Sequence, residues 1–368
     1  MLLFTPGPTP VPERVRQAMA TPTIHHRTPE FTKIFLQTRE LLLELFGMED
    51  AVMLASTGTG AMEACVTNLC HKKALVVNAG KFGERFGKIA KAFGKELVEL
   101  RYEWDTPAKI SDVEEALHQH PDIDAFFIQI CESSGGLRHP VEEIASAIKA
   151  INPDVTVVAD GITAVGVEPI DVSNIDALIT GSQKALMLPP GLAMIGLSAH
   201  ALRKIGSGSG FYFNLASELK KQREGTTAYT AATTLIMGLK EVLTMLLREI
   251  GRDELYDQTD RRATATRVAL EGLGLAIYPK NPANAMTAIV DEQAEEIRKI
   301  LKNRYKVNVA GGQEHLKGRL FRINHMGFIE PYEAAWVVNA VEMALADLGR
   351  LTYEGKANKI FNTIYFEE

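Results

Sequence analysis

Between residues 50 and 200 the chain alternates short runs of β-forming residues with segments of helical spacing, and this alternation constrains the fold more than any other feature. The β-rich runs lie at 51–55, 74–78, 96–101, 124–130, 155–160, 176–180 and 192–197. Helical spacing fills most of the gaps, at 59–70, 82–93, 111–119 and 141–151. Near-continuous apolar strands joined by helices predict an α/β fold with a mostly parallel seven-stranded sheet covered on both faces. No full helix separates the seventh run from the sixth, which leaves that last strand free to run antiparallel.

The flanking segments have a different texture. A Pro-rich opening at 4–12 leads into helical periodicity at 11–19 and 31–46. From Thr234 two long helices are expected, at 235–250 and 254–273, followed by a Gly/Pro/Asn stretch at 278–284. Beyond it come a strand at 285–291, a helix at 294–303, strands near Val307 and at 320–324, and a helix at 331–348. The expected organisation is an N-terminal arm (1–20) packing with the small domain, a large domain (21–258) and a smaller C-terminal α+β domain (259–368). There is no internal repeat, and Gly206-Ser207-Gly208-Ser209-Gly210 reads as a flexible loop.

Composition removes several classes of function. The 368 residues are 46% hydrophobic and 23% charged, values that exclude a disordered or fibrous chain. A net charge of −6 argues against nucleic acid as the main partner, because phosphate backbones need a basic surface. Three cysteines, Cys65, Cys70 and Cys131, cannot make a disulfide scaffold and fit a reducing compartment. The opening Met1-Leu2-Leu3-Phe4 lacks the basic and apolar regions of a signal peptide. The apolar stretch 185–199 is interrupted by Pro189, Pro190 and Gly191 and is too short to span a bilayer. A soluble, cytoplasmic chain is expected.

Familiar signatures fail. Gly58-Thr59-Gly60 would need its third glycine at Glu63, Gly80-Lys81 is followed by Phe82 rather than Ser or Thr, and Cys70-His71 and His25-His26 lack further ligands at metal spacing. No metal site is expected. What remains are polar residues at strand ends, where open α/β sheets bind ligands. These are Ser56-Thr57-Gly58-Thr59-Gly60, Gly80-Lys81-Phe82-Gly83, Cys131-Glu132-Ser133-Ser134-Gly135-Gly136, Asp160, and Gly181-Ser182-Gln183-Lys184.

Singly, each has an ordinary explanation: a helix cap, a turn-capping carboxylate, a solvated lysine. Together they supply an anion site at a helix N-terminus, an aromatic face, a carboxylate and a crevice lysine whose pKa can fall. One chemistry uses all four, that of pyridoxal 5'-phosphate. A lysine forms a Schiff base with its aldehyde, a carboxylate keeps its ring nitrogen protonated, and the charged ring becomes an electron sink.

Asp160-Gly161-Ile162-Thr163-Ala164-Val165-Gly166, Gly181-Ser182-Gln183-Lys184-Ala185-Leu186 and Pro189-Pro190-Gly191 resemble the class V aminotransferases of fold type I, nearest the alanine–glyoxylate / serine–pyruvate group. The similarity runs from Gly7-Pro8-Thr9-Pro10 to Phe321-Arg322-Ile323-Asn324. The resemblance implies that Lys184 is the Schiff-base and catalytic lysine and Asp160 the partner of the ring nitrogen. It places Thr57, Gly58 and Thr59 at the phosphate, Phe82 against the ring, Ser133 near the ring hydroxyl, and Gln183 beside the lysine. Thr227 and Thr230 match a segment that reaches the phosphate of a neighbouring subunit, so a homodimer is implied. Arg322 matches the arginine that takes the substrate α-carboxylate, and Gly7 belongs to the substrate side. Asn324 in place of glycine, Ala231 in place of proline, and Thr227 in place of a larger side chain leave the substrate open.

The activity implied is ping-pong transfer of an amino group from alanine or serine to glyoxylate or pyruvate. An alternative is a phosphoserine or 2-aminoethylphosphonate aminotransferase, with Lys81, Arg85 and His25-His26-Arg27 as a second anion site. A cysteine desulfurase-like lyase would need a cysteine late in the chain, and none follows Cys131. A non-catalytic pyridoxal-binding protein would not need Lys184, Asp160 and Arg322 together.

Overall fold

The computed structural model describes residues 1–367. In chain order the elements are β1 (Leu2–Phe4), α1 (Glu13–Met19), α2 (Pro29–Phe46), β2 (Asp50–Leu54), α3 (Gly58–Leu69), β3 (Lys73–Asn78), α4 (Lys81–Ala92), β4 (Glu96–Arg101), α5 (Ile110–Gln119), β5 (Ala125–Gln129), β6 (Cys131–Glu132), β7 (Leu137–Arg138) and α6 (Val141–Ile151). Then follow β8 (Thr156–Asp160), β9 (Ala177–Gly181), β10 (Ala193–Leu197), α7 (Ala199–Ile205), α8 (Leu215–Arg223), α9 (Thr233–Thr244) and α10 (Arg252–Glu271). The C-terminal part holds β11 (Ala276–Ile277), β12 (Met286–Val290), α11 (Ala294–Asn303), β13 (Val307–Gly311), β14 (Leu320–Asn324), α12 (Pro331–Asp347) and α13 (Lys356–Phe366).

The large sheet has seven strands in the order β2-β10-β9-β8-β5-β3-β4. From β9 to β4 every pairing is parallel, while β10 is antiparallel to both β9 and β2. Every residue of β5, β8, β9 and β10 is buried, because helices cover both faces and leave no room for a polar alternation. Only the edge strand β4, with Glu96 and Arg101 exposed at its ends, reads as half-solvated.

Local chemistry sets the helix limits. Thr28 caps α2 by accepting from the Phe31 N–H at 3.3 Å, Pro29 opens the helix, and Gly47 closes it at φ 63°, a backbone angle that favours glycine. Helix α9 runs on into a π-helical turn at Met245–Ile250, so the long helix read over 235–250 is continuous but changes its winding.

A second sheet, β1-β13-β14-β12-β11, carries the C-terminal layer. The change of core falls inside α10: Leu255 packs in the large core and Ala265 in the small one. The N-terminal arm does not pack with the small domain as one piece. Strand β1 pairs in parallel with β13, but Val15 of α1 is buried in the large core. Apolar residues at both ends of the arm explain the division, since each end finds its own core. Among the described residues no helix is long and apolar enough to cross a membrane.

Candidate active site

The strand ends converge on one pocket of about 250 Å³, lined by Thr57, Gly58, Thr59, Phe82, Arg85, Cys131, Ser133, Asp160, Ile162, Thr163, Gln183 and Lys184. Eight of the residues read from the sequence meet here: Thr57, Gly58, Thr59, Phe82, Ser133, Asp160, Gln183 and Lys184.

Lys184 sits on the short connection between β9 and the antiparallel β10. Ser182 holds this connection closed: its hydroxyl donates to Pro189 O at 2.8 Å and accepts from Leu192 N–H at 3.2 Å. The Met187 N–H returns to Lys184 O at 2.9 Å, and Met187 is held at φ 48°, an angle a side chain adopts only when its surroundings enforce it. The arm clamps the other side. Thr9 donates its hydroxyl to Lys184 O at 2.7 Å and its N–H to Gln183 O at 3.1 Å. The Lys184 amine donates to Pro6 O. Gly7 lies against the lysine, where a Cβ would come 2.7 Å from Lys184 Cδ, so this position accepts no side chain without moving the amine.

Burial favours the neutral form of Lys184 and of Asp160. It lowers the Lys184 amine to about 8, with Arg322 adding to the effect. It raises the Asp160 carboxyl to about 7, against the Ile162 N–H that donates to Oδ1 at 2.9 Å. The nearby Lys184 and Arg85 pull in the opposite direction on Asp160 and lose to burial.

The far wall is the N-terminus of α3. Thr57 makes no side-chain cap bond, so the first N–H groups of the helix are not closed off by their own cap. Gly58 is required here because a Cβ would overlap Ile162 Cδ1, which packs beneath the turn. Arg85 donates to Thr59 Oγ1 at 2.9 Å, and its guanidinium lies 4.8 Å from the centroid of the Phe82 ring.

Glu132 fixes Phe82. The carboxylate is fully buried and accepts from the N–H groups of Phe82 and Gly83 at 3.0 Å each, at the N-terminus of α4. Its other oxygen takes the Ser134 hydroxyl at 2.6 Å. Burial raises its pKa while these donors oppose the rise. Glu132, whose partners lie 50 and 49 residues away, and Arg85 are functional residues that the sequence does not place in this pocket. A signal was present for Arg85, which follows Phe82 by three on a helix and therefore shares its face.

Three named residues lie elsewhere. Arg322 is 7% exposed on β14 and gives Nη1 to Ser133 O and Nη2 to Gly311 O, both at 2.6 Å, so it reaches the pocket wall through Ser133. Thr227 and Thr230 line a separate cleft with Tyr212 and Tyr229. The basic residues read as a second anion site are not together. Lys81 is held by Glu84 and Glu314, Arg27 donates to Thr226 Oγ1 at 2.9 Å, and only Arg85 enters the pocket.

The residues present fit a phosphorylated pyridine aldehyde. The anion end has helix N–H groups and an arginine, the flat middle has Phe82, and the two ionisable ends have Asp160 and Lys184. Gln183 Oε1, buried without a partner, is a polar atom that this chain alone leaves unsatisfied. Cys131 also lines the pocket, but burial pushes its thiol up to about 12, so it is not a nucleophile at neutral pH.

A family model described as aminotransferase class-V matches residues 1–329. An uncharacterized aminotransferase of Helicobacter pylori (strain ATCC 700392 / 26695) is 52% identical over 367 residues, covering 100% of both chains. A serine–glyoxylate aminotransferase of Methylorubrum extorquens is 30% identical, over 94% of this chain and 91% of that one. The crystal structure of an aspartate aminotransferase of subgroup IV from Thermus thermophilus superposes with a TM-score of 0.88 at 32% identity, over 94% of this chain and 99% of that one.

Proposed function

The chain belongs to the class V aminotransferases and is a pyridoxal-phosphate-dependent transaminase of fold type I; from that premise we propose that it moves an amino group from a small amino acid, alanine or serine, to a small 2-oxo acid, glyoxylate or pyruvate, by a ping-pong mechanism. A relative named for serine and glyoxylate supports the small donor and acceptor. One observation carries the assignment of roles. Lys184 and Asp160 line a single pocket whose wall is the N-terminus of α3, and each shifts the other's ionisation.

When bound, the cofactor supplies an aldehyde that takes up the amino group and a protonated ring that draws electrons from the substrate Cα. In the proposed arrangement Lys184 is the residue that would hold the cofactor aldehyde at rest, and the incoming amino group would displace it and set its amine free. That amine, which burial lowers to about 8 in the chain alone, would take the Cα proton and keep it at Nζ for return. Asp160 would hold the ring N–H. A cation brought against this carboxyl restores its ionised form, which burial alone disfavours.

Thr57, Gly58 and Thr59 would hold the phosphate end, Gln183 would support the phosphate or the ring from beside the lysine, Phe82 would cover the ring, and Ser133 would stand at the ring hydroxyl. Arg322 takes the substrate α-carboxylate with the N–H groups it does not give to Ser133 and Gly311, and Gly7 leaves room beside the amine. The proposed enzyme is a cytoplasmic homodimer in which Thr227 and Thr230 serve the phosphate of the second copy. What favours this is that both threonines line a cleft apart from their own chain's pocket, beside the exposed Phe211 and Tyr212.

The test is Lys184→Ala. The variant is expected to lose at least ~10³-fold in turnover with alanine and glyoxylate, in line with removal of a general base. Borohydride should fix the cofactor to the wild-type chain and not to the variant, read by mass. Substantial retained transamination would overturn the assignment.

A further inference from the structure

Gln129 ends β5 inside the core. Its side chain is 0% exposed, and both Nε2 and Oε1 are buried without a hydrogen-bond partner. An unpaired buried amide is less stable there than an apolar side chain of the same size. The sheet register names its neighbour. Gln129 and Asp160 are paired residues on the parallel strands β5 and β8, so they stand one strand spacing, about 4.8 Å, apart. Both side chains leave the same face. Phe127 and Val158, two residues earlier in each strand, share the core packed against α3, whereas Ile128 and Ala159 belong to the core on the other face.

Asp160 has room for such a neighbour. Among the described residues its carboxyl accepts one hydrogen bond, from the Ile162 N–H to Oδ1 at 2.9 Å, whereas a carboxylate can take several. The other groups around it do not fill the gap. Lys184 and Arg85 line the same pocket but donate to Pro6 O and Thr59 Oγ1. Glu132 raises the Asp160 pKa through its own charge, and the Cys65 thiol of α3 is held neutral by burial. The Gln129 amide suits this place in either protonation state of the acid. Its Oε1 is turned toward α4, 3.1 Å from where a Cβ on Gly83 would stand. Rotation about the last side-chain bond exchanges Oε1 and Nε2, so one amide can accept from a neutral carboxyl or donate to an ionised one.

We propose that Gln129 is a positioning residue for Asp160: its amide accepts from the neutral carboxyl of the cofactor-free chain and turns to donate Nε2–H to the carboxylate once the ring N–H arrives. This rests on the reading of Asp160 as the partner of the ring nitrogen and extends it by one residue. Gln129 does not line the pocket, so it acts only through Asp160. It holds one carboxylate oxygen while the other faces the ring, and a donor on the carboxylate favours the ionised form that burial opposes.

The test compares pyridoxal phosphate with the analogue whose ring nitrogen is replaced by C–H, each titrated into the cofactor-free full chain and read by absorbance. The wild type is expected to bind the cofactor at least about tenfold more tightly than the analogue, because only the ring N–H makes a charge-assisted bond to Asp160. Gln129→Met and Gln129→Leu put apolar atoms in the same space. Each should cut that ratio about fivefold, with the affinity for the analogue close to that of the wild type. In nitrogen NMR of the holoenzyme with ring-labelled cofactor, the resonance should move from the protonated toward the neutral position in both variants. Variants that weaken cofactor and analogue equally, or that leave ratio and resonance unchanged, overturn the role of Gln129, while the wild-type ratio keeps Asp160 at the ring. Equal binding of cofactor and analogue by the wild type overturns the Asp160 reading itself.

Discussion

Burial acts on Asp160 and Lys184 with one result: it favours the neutral form of each. The Asp160 carboxyl rises from an ordinary 3.8 to about 7. Between those values the folded chain holds a proton that the unfolded chain has released. Asp160 therefore stabilises the fold fully below about pH 4, and that contribution is lost as pH rises through about 7. Lys184, lowered from 10.5 to about 8, works in a separate window and adds stability as pH rises from about 8 toward 10.5. The cofactor-free protein should thus lose about 1.4 kcal/mol of stability per pH unit more steeply than Asp160→Asn between pH 5 and 7. Urea midpoints across that range check it, and parallel slopes for the two proteins would show that Asp160 stays ionised in the pocket. Bound cofactor should flatten the wild-type slope, because a cation against Asp160 removes the cause of the shift.

At the scale of single elements, helix α4 shows how the site is built from a charge that the chemistry does not use. Glu132 closes the N-terminus of α4 with two backbone N–H groups and so fixes where Phe82 points. Glu132→Ala leaves those buried donors without a partner and is expected to cost about 1–3 kcal/mol of stability. The same variant should bind the cofactor more weakly, since Phe82 loses its anchor; a variant with wild-type urea midpoint and cofactor affinity would remove Glu132 from this role. The residues also explain what could be read in advance. Runs such as Ala125–Gln129 and Thr156–Asp160 are buried on both faces, so their apolar character survives in any context. Strand β1 has three residues, and β6 and β7 two each, which is too few to show a period. Lys184 and Asp160 were legible because strand ends are where such sheets bind ligands. Glu132 was not, since its bonds depend on which distant elements meet.

At the scale of the whole molecule, the site is held between parts of the chain far apart in sequence. The arm joins the small sheet through Leu2–Phe4, clamps Lys184 through Pro6 and Thr9, and enters the large core at Val15. Lys81 at the start of α4 pairs with Glu314 of the loop between β13 and β14, and Trp104 meets His315 edge-on at 4.7 Å. These contacts tie the two layers together. The proposed dimer extends the same logic to a second copy, and it has a consequence that a self-sufficient monomer does not share. Thr227→Ala/Thr230→Ala should weaken cofactor binding by about tenfold, the loss of one or two hydrogen bonds to a charged group. Lys184→Ala should be inactive at any cofactor concentration. In a hybrid of the two variants, one site combines both defects, while the other has an intact lysine on one chain and intact threonines on the other. Random reassortment of equal amounts of the two variants in a twofold-symmetric dimer should therefore restore about a quarter of wild-type activity at limiting cofactor. If Thr227 and Thr230 act only within their own chain, no hybrid contains a complete site, and the mixture stays at the sum of its parts.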